Sequence, residues 1–141
     1  MRRRNDPTIQ ELVDLPLWSG IRHNDAKELL RHADEVRLPA GTVLCEEGGR
    51  SAEVFVILDG TVEATHDDQV LGTAGPGGIV GEMGLLDGEP RSADVRAVTD
   101  VRALVLGIGD FRVTLAEVPG FTRQVMKELV ARQRQLQPQP S

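Results

Sequence analysis

Two charged side chains of opposite sign, Glu82 and Arg91, frame a glycine-rich stretch, VGEMGLLDGEPRSADVRA, that runs from Val80 to Ala97. A guanidinium can fork onto a phosphate through two parallel hydrogen bonds. A carboxylate can accept hydrogen bonds from sugar hydroxyls. Gly81-Glu82-Met83-Gly84-Leu85-Leu86 has the composition of one or two helical turns opening on a glycine. The first amides of such a helix are unpaired and favour an anion. Asp87-Gly88-Glu89-Pro90 closes the turn, and Ser92 adds a hydroxyl and an amide beside Arg91. Phosphate donors and a ribose acceptor in one short segment suit a nucleotide-like ligand. On charges alone, a Glu82–Arg91 salt bridge tying a helix to a strand is the commoner use of such a pair. Both readings stand at this point.

The bulk composition narrows what such a site could serve. The 141 residues suit one domain with one core. Aromatic residues make up 3%, with no Tyr, so an aromatic platform for stacked bases is not expected. A formal net charge of -6 argues against nucleic-acid binding by this chain alone, and Arg2 to Arg4 read as a solvated end. The single cysteine, Cys45, lies in a strand-like run and reads as a small buried hydrophobe. The polar NDPTIQE leaves no apolar signal segment after the first arginines, and runs such as VRALVLGIG are too short and too interrupted to cross a bilayer. A cytoplasmic, reducing location without a membrane span is the expectation. His23, His32 and His66 are scattered, no His-x-His pair precedes a carboxylate, and no nucleophile–base pairing stands out. No metal, no cofactor and no catalytic residue is therefore expected, so the chain does not read as an enzyme.

The elements that must hold Glu82 and Arg91 follow from periodicity. Up to residue 34 the pattern is helical. Ile9, Leu12 and Val13 share a face after Pro7, and Ala26, Leu29, Leu30 and Ala33 form a second stripe behind a capping pair, Asp25 and Glu28. Leu17, Trp18 and Ile21 are expected to pack this helical cap onto the strand-rich region. From 35 to 107, short strand-like runs (EVRL, TVLCE, EVFVIL, TVEATH, VLGTA, ADVRAV, VRALVLG) alternate with turn signals, and Asp59-Gly60 reads as a hairpin turn. Such spacing predicts an antiparallel sandwich or roll. From 108 to 137 two helices are expected, a short one ending before Pro119 and a longer one with Phe121, Val125, Met126, Leu129, Val130 and Leu136 on an apolar stripe. Residues 138–141 read as a disordered tail. The fold class is mainly β with flanking helices (α+β).

The segment also resembles the phosphate-binding cassette of the cyclic nucleotide-binding domain family, approximately Phe-Gly-Glu-(Leu/Ile)-Ala-Leu, a turn, then Pro-Arg-(Ala/Ser/Thr)-Ala. Gly81, Glu82, Leu85, Pro90, Arg91, Ser92 and Ala93 stand in register with it, which places the cassette at 80–93. The similarity extends over AGTVLCEEGGRSAEVFVILDGTVEA, GPGGIVGE and VRAVTDVRALVLGIGDF. Val80 stands where an aromatic is usual, Gly84 where a small Ala or Ser is usual, and Asp94 where Thr or Ser is frequent.

The resemblance implies a β-roll or jelly-roll-like barrel between an N-terminal helical cap and C-terminal helices, all one cyclic nucleotide-binding domain. It implies that Arg91 pairs with the cyclic phosphate, Glu82 with main chain at Gly81 binds the ribose 2′-hydroxyl, and Ser92 contributes hydroxyl and amide. Amides at Gly84 and Leu85 would face the sugar-phosphate, and Ala93 completes the motif. It implies a regulatory sensor whose ligand repositions the C-terminal helix as a lid, with Met126, Leu129 or Val130 over the base. The favoured ligand is cAMP, with cGMP open. The partner would be an effector protein or domain, and a homodimer is open. The rival reading is a degenerate domain that binds no nucleotide and acts in protein interaction or dimerisation.

Overall fold

The computed structural model describes residues 6–18, 21–49, 53–81 and 93–136, with side chains described from 8 to 131. Helix α1 spans Asp6–Asp14, a 3-10 turn Pro16–Trp18, and α2 His23–His32. Among the described residues eight strands follow: β1 Asp34–Leu38, β2 Val43–Cys45, β3 Glu53–Asp59, β4 Val62–His66, β5 Gln69–Ala74, β6 Ile79–Val80, β7 Asp94–Ala97 and β8 Val101–Gly107. Helices α3 (Ile108–Glu117) and α4 (Pro119–Leu136) end the described chain. Every strand pairing is antiparallel, in two four-stranded sheets ordered β1-β8-β3-β6 and β2-β7-β4-β5. The expected β-rich class with flanking helices is the observed one.

The first sheet is covered on both faces, which explains the unbroken apolar run of β3. Val54, Val56 and Leu58 pack with Leu104 and Leu106 against the helices, in a core shared with Leu12, Trp18, Leu29, Phe111 and Phe121. Phe55 and Ile57 point the other way, into the roll, beside Cys45, Val62, Val80, Ala97 and Ala103. Alternate residues of one strand thus serve two cores. Cys45 is buried, as expected of a small hydrophobe. Arg102 on β8 pairs with Glu11 of α1 and lies 3.6 Å from Glu35, so α1 is also held by charge.

Three local expectations need correction. Asp59-Gly60 is not a hairpin turn: β3 and β4 lie in different sheets, and Gly60 makes the corner between them. Gly60 has φ +94°, and a Cβ there would stand 2.3 Å from the Asp100 carbonyl oxygen. The connection is instead tied to the β7–β8 turn, with the Thr61 amide donating to Thr99 Oγ1 and the Val98 amide to the Thr61 carbonyl. The hairpin that does close is β4–β5, where Asp67 and Asp68 both take positive φ, as a type I′ turn requires.

The second correction is at α2. It starts at His23, so Asp25 falls inside the first turn, and the capping residue is Arg22 with no side-chain cap hydrogen bond. Asp25 instead lies against the first turn of α4, where a Cβ added to Gly120 would come within 2.5 Å of its carboxylate. The third concerns apolar residues expected in the core: Leu17 is 53% exposed, Met126 58% and Val130 52%. On α4 the buried face carries Phe121 and Val125, with Leu129 packed beside them, whereas Met126 and Val130 lie one residue further round the helix.

Candidate functional site

The two ends of the cassette are held by different sheets. Val80 closes β6, a two-residue edge strand that pairs with β3 through Phe55↔Val80 and Val56↔Ile79. Gly81 follows with φ +96°, a left-handed turn that glycine adopts without steric cost. At the far end, half-buried Ala93 leads into β7, an inner strand of the second sheet between β2 and β4. The chain therefore leaves one sheet at Gly81 and joins the other at Ala93. Glu82, Gly84, Leu85, Arg91 and Ser92 lie outside the described residues. Val80, which stands where an aromatic is usual, is buried in the roll and pairs with Phe55 on β3.

The loop that feeds β6 is clamped from two sides. The Gly77 amide donates to the Ile57 carbonyl at 2.7 Å, and the Ile57 amide donates to the Gly78 carbonyl at 2.9 Å. The Gly77 carbonyl accepts a buried hydrogen bond from the Trp18 indole Nε1 at 2.7 Å. Gly77 has φ +92°, and a Cβ there would fall 2.8 Å from Leu17 and 3.2 Å from Trp18, so only glycine admits this approach. The Trp18 ring meets Phe121 of α4 at 6.1 Å, and Phe121 meets Phe111 of α3 edge-on at 5.9 Å. A chain of aromatic contacts thus links the approach to the cassette with both C-terminal helices.

The other end is pinned by charge. The Glu47 amide donates to Asp94 Oδ1 at 2.7 Å, which gives a structural use to the aspartate that departs from the family's usual Thr or Ser. Glu47 Oε1 lies 2.5 Å from His66 Nδ1, and Asp67 Oδ2 lies 3.3 Å from His66 Nε2. The hydrogen bond with Glu47, then the charges of Asp67 and Glu47, hold the His66 imidazole above its ordinary pKa, against a smaller opposing effect of desolvation. By sequence pattern alone His66 is a solitary histidine. The partnership depends on β2 and β4 flanking the same strand, which no local pattern reports.

Of the proposed lid residues, Leu129 packs on the helical core while Met126 and Val130 face outward. A shallow groove lined by Arg37, Pro39, Asp59, Asp100 and Arg102 lies at the opposite end of β3 from the β6 pairing. Among the described residues no three His, Cys, Asp or Glu side chains converge on a metal position. No helix among them is long and apolar enough to cross a membrane.

With this geometry in place, comparison with known proteins settles the family. A profile of the cyclic nucleotide-binding domain matches residues 35–117, which takes in β1 through α3 and the whole cassette. The chain belongs to the cyclic nucleotide-binding domain family. A cyclic nucleotide-gated potassium channel of Rhizobium etli is 31% identical over 123 residues, 87% of this chain and 34% of the channel. A cAMP-dependent protein kinase regulatory subunit of Aspergillus fumigatus is 31% identical over 119 residues, 80% of this chain and 28% of the subunit. The chain thus spans about a third of the length of these relatives. The crystal structure of a cyclic nucleotide-binding domain from Methylobacillus flagellatus superimposes with a TM-score of 0.78 at 26% identity, over 92% of this chain and 80% of that one.

Proposed function

We propose that this domain is a regulatory sensor that binds cAMP in the cassette at 80–93, rather than an enzyme. The observation that carries the reading is the placement of the cassette's ends. Gly81 leaves the edge of one sheet and Ala93 joins the interior of the other, so the two ends of the segment that carries Glu82 and Arg91 in sequence are anchored to different sheets. In this reading Arg91 pairs with the cyclic phosphate and Glu82 accepts from the ribose 2′-hydroxyl. Gly84, Leu85 and Ser92 supply amides and a hydroxyl. The cyclic phosphate carries one negative charge, which one guanidinium and a few amides can balance without a metal. The cAMP dependence named for the kinase subunit relative supports this ligand over cGMP.

Ligand would draw the cassette inward and bring α4 over the base, a population shift between two arrangements. Met126 and Val130, exposed beside the anchored Leu129, are the side chains free to cover a purine after such a movement. Their exposure also supports the second reading, an interaction module that has lost its ligand.

Calorimetric titration with cAMP and cGMP, wild type beside Arg91→Ala, separates the two. Heat and a raised melting temperature with cAMP, both lost in Arg91→Ala, support the sensor. Silence with both nucleotides in a folded wild type leaves the interaction module.

A further inference from the structure

The second sheet brings a charged pair across the place where the cassette rejoins the fold. In the β4–β7 register, Ala64 lies opposite Val95 and Thr65 opposite Asp94, so one further step sets His66 opposite Ala93. In the β2–β7 register, Cys45 lies opposite Val95, and Glu47 follows two residues later on the other side of β7, its amide bonded to Asp94. β7 runs between β2 and β4, yet Glu47 and His66 meet at 2.5 Å. Their side chains therefore bridge across the start of β7. Both side chains are about half exposed, His66 at 49% and Glu47 at 43%.

Both ring nitrogens of His66 face carboxylates, Nδ1 toward Glu47 and Nε2 toward Asp67. A neutral imidazole has one N–H and can donate to only one of them, whereas the imidazolium donates to both. Among the described residues, the charged groups on the three elements meeting there are Glu46 and Glu47 on the β2–β3 turn, Asp67 and Asp68 at the hairpin tip, and Asp94 on β7. All are acidic. Arg96, the described cation of β7, pairs in register with Glu63. The two nitrogens aim at separate carboxylates, so the trio does not converge as a metal site.

We propose that the His66–Glu47 pair is a proton-operated strap across β7, which holds the cassette's C-terminal end in place and tightens nucleotide binding on the acid side of neutrality. His66 is a positioning residue here and acts through Glu47 and Asp94. When the imidazolium loses its proton, Glu47 loses its charged partner. The turn whose amide holds Asp94 then loosens, and the residues leading out of the cassette gain freedom that binding must remove. The effect on affinity rests on the nucleotide-binding reading; the strap itself does not.

Two measurements on the full chain separate these. Without ligand, an NMR titration follows the His66 ring together with the amides of Glu47, Ala93 and Val95. The expected result is one shared midpoint, moved to lower pH in Glu47→Gln. With ligand, the dissociation constant for cAMP is expected to rise about two- to five-fold between pH about 6 and about 8.5, the scale of a half-exposed ion pair. In His66→Gln the constant should be flat over that range. Saturating cAMP should in turn move the His66 midpoint up by about 0.3–0.7 pH units, because linkage is reciprocal. Amides at Ala93 and Val95 that ignore the His66 titration overturn the strap. Parallel pH profiles for wild type and His66→Gln overturn its effect on affinity. Absence of cAMP binding at every pH overturns the nucleotide reading, while the ligand-free titration still decides the strap.

Discussion

The indole N–H of Trp18 donates to the carbonyl of Gly77 across 59 positions of sequence, at 2.7 Å and out of reach of water. This bond joins the N-terminal helical cap to the loop that delivers the chain to β6 and the cassette. Trp18→Phe keeps an aromatic ring against Phe121 but strands the Gly77 carbonyl. A buried acceptor left unpaired costs roughly 1–3 kcal/mol. Urea denaturation should show that loss for Trp18→Phe, and about 3–5 kcal/mol for Trp18→Ala, where the ring's packing goes too. No loss in Trp18→Phe would mean the hydrogen bond contributes nothing.

Gly60 and Gly41 make a controlled pair. Both have positive φ, but a Cβ at Gly60 meets the Asp100 carbonyl at 2.3 Å while one at Gly41 meets nothing within 4 Å. Gly41→Ala should therefore cost only the left-handed conformation, about 1–2 kcal/mol. Gly60→Ala must also push apart the corner between the sheets and should cost clearly more in the same denaturation assay. A similar loss for both would show that the corner yields freely.

His66 also predicts how stability depends on pH. Its pKa is raised in the folded state by Glu47 and Asp67. The stabilisation it contributes is therefore fully present below the ordinary imidazole value of about 6.5, and is lost as pH rises through the higher folded-state value. The melting temperature of wild type should exceed that of His66→Gln on the acid side, and the two curves should converge on the alkaline side. A gap that widens with rising pH would reverse the sign.

Met126 and Val130 should be nearly silent in the ligand-free protein. Both are more than half exposed, so Met126→Gln and Val130→Gln should change stability by no more than about 0.5 kcal/mol. Phe121→Ala on the same helix should cost about 3–5 kcal/mol, because its ring lies between Trp18 and Phe111. If α4 covers the base in the bound state, the glutamine variants should weaken cAMP binding without lowering the melting temperature of the free protein. Unchanged affinity would remove these two residues from the lid.

Loss of Arg91 tests the cassette directly. A buried charge pair broken from one side costs roughly 2–5 kcal/mol of binding, or about 30- to 5,000-fold in the dissociation constant for cAMP. Titration calorimetry on Arg91→Ala, with circular dichroism to show a retained fold, reads that change.

Local pattern determined a good deal here, because periodicity and turn chemistry act within a few residues. The apolar faces of α1 and α2, the helix ending before Pro119, the strand nature of TVEATH and the buried Cys45 all follow from spacing alone. The family was legible for the same reason: the residues that carry the resemblance are contiguous, and the profile match spans 35–117. Which strands pair was not legible. Asp59-Gly60 has the composition of a hairpin turn, but the second sheet captures β4, so the same glycine turns a corner instead. Composition specifies a turn's dihedral angles and not the strand that fills the space beyond it. Likewise the helical stripe of α4 has two edges, and only the position of Trp18 and Phe111 decides that Phe121 and Val125 are buried while Met126 and Val130 are left outside. Glu47 and His66 become partners because β7 passes between their strands, a relation among three segments that no one of them encodes.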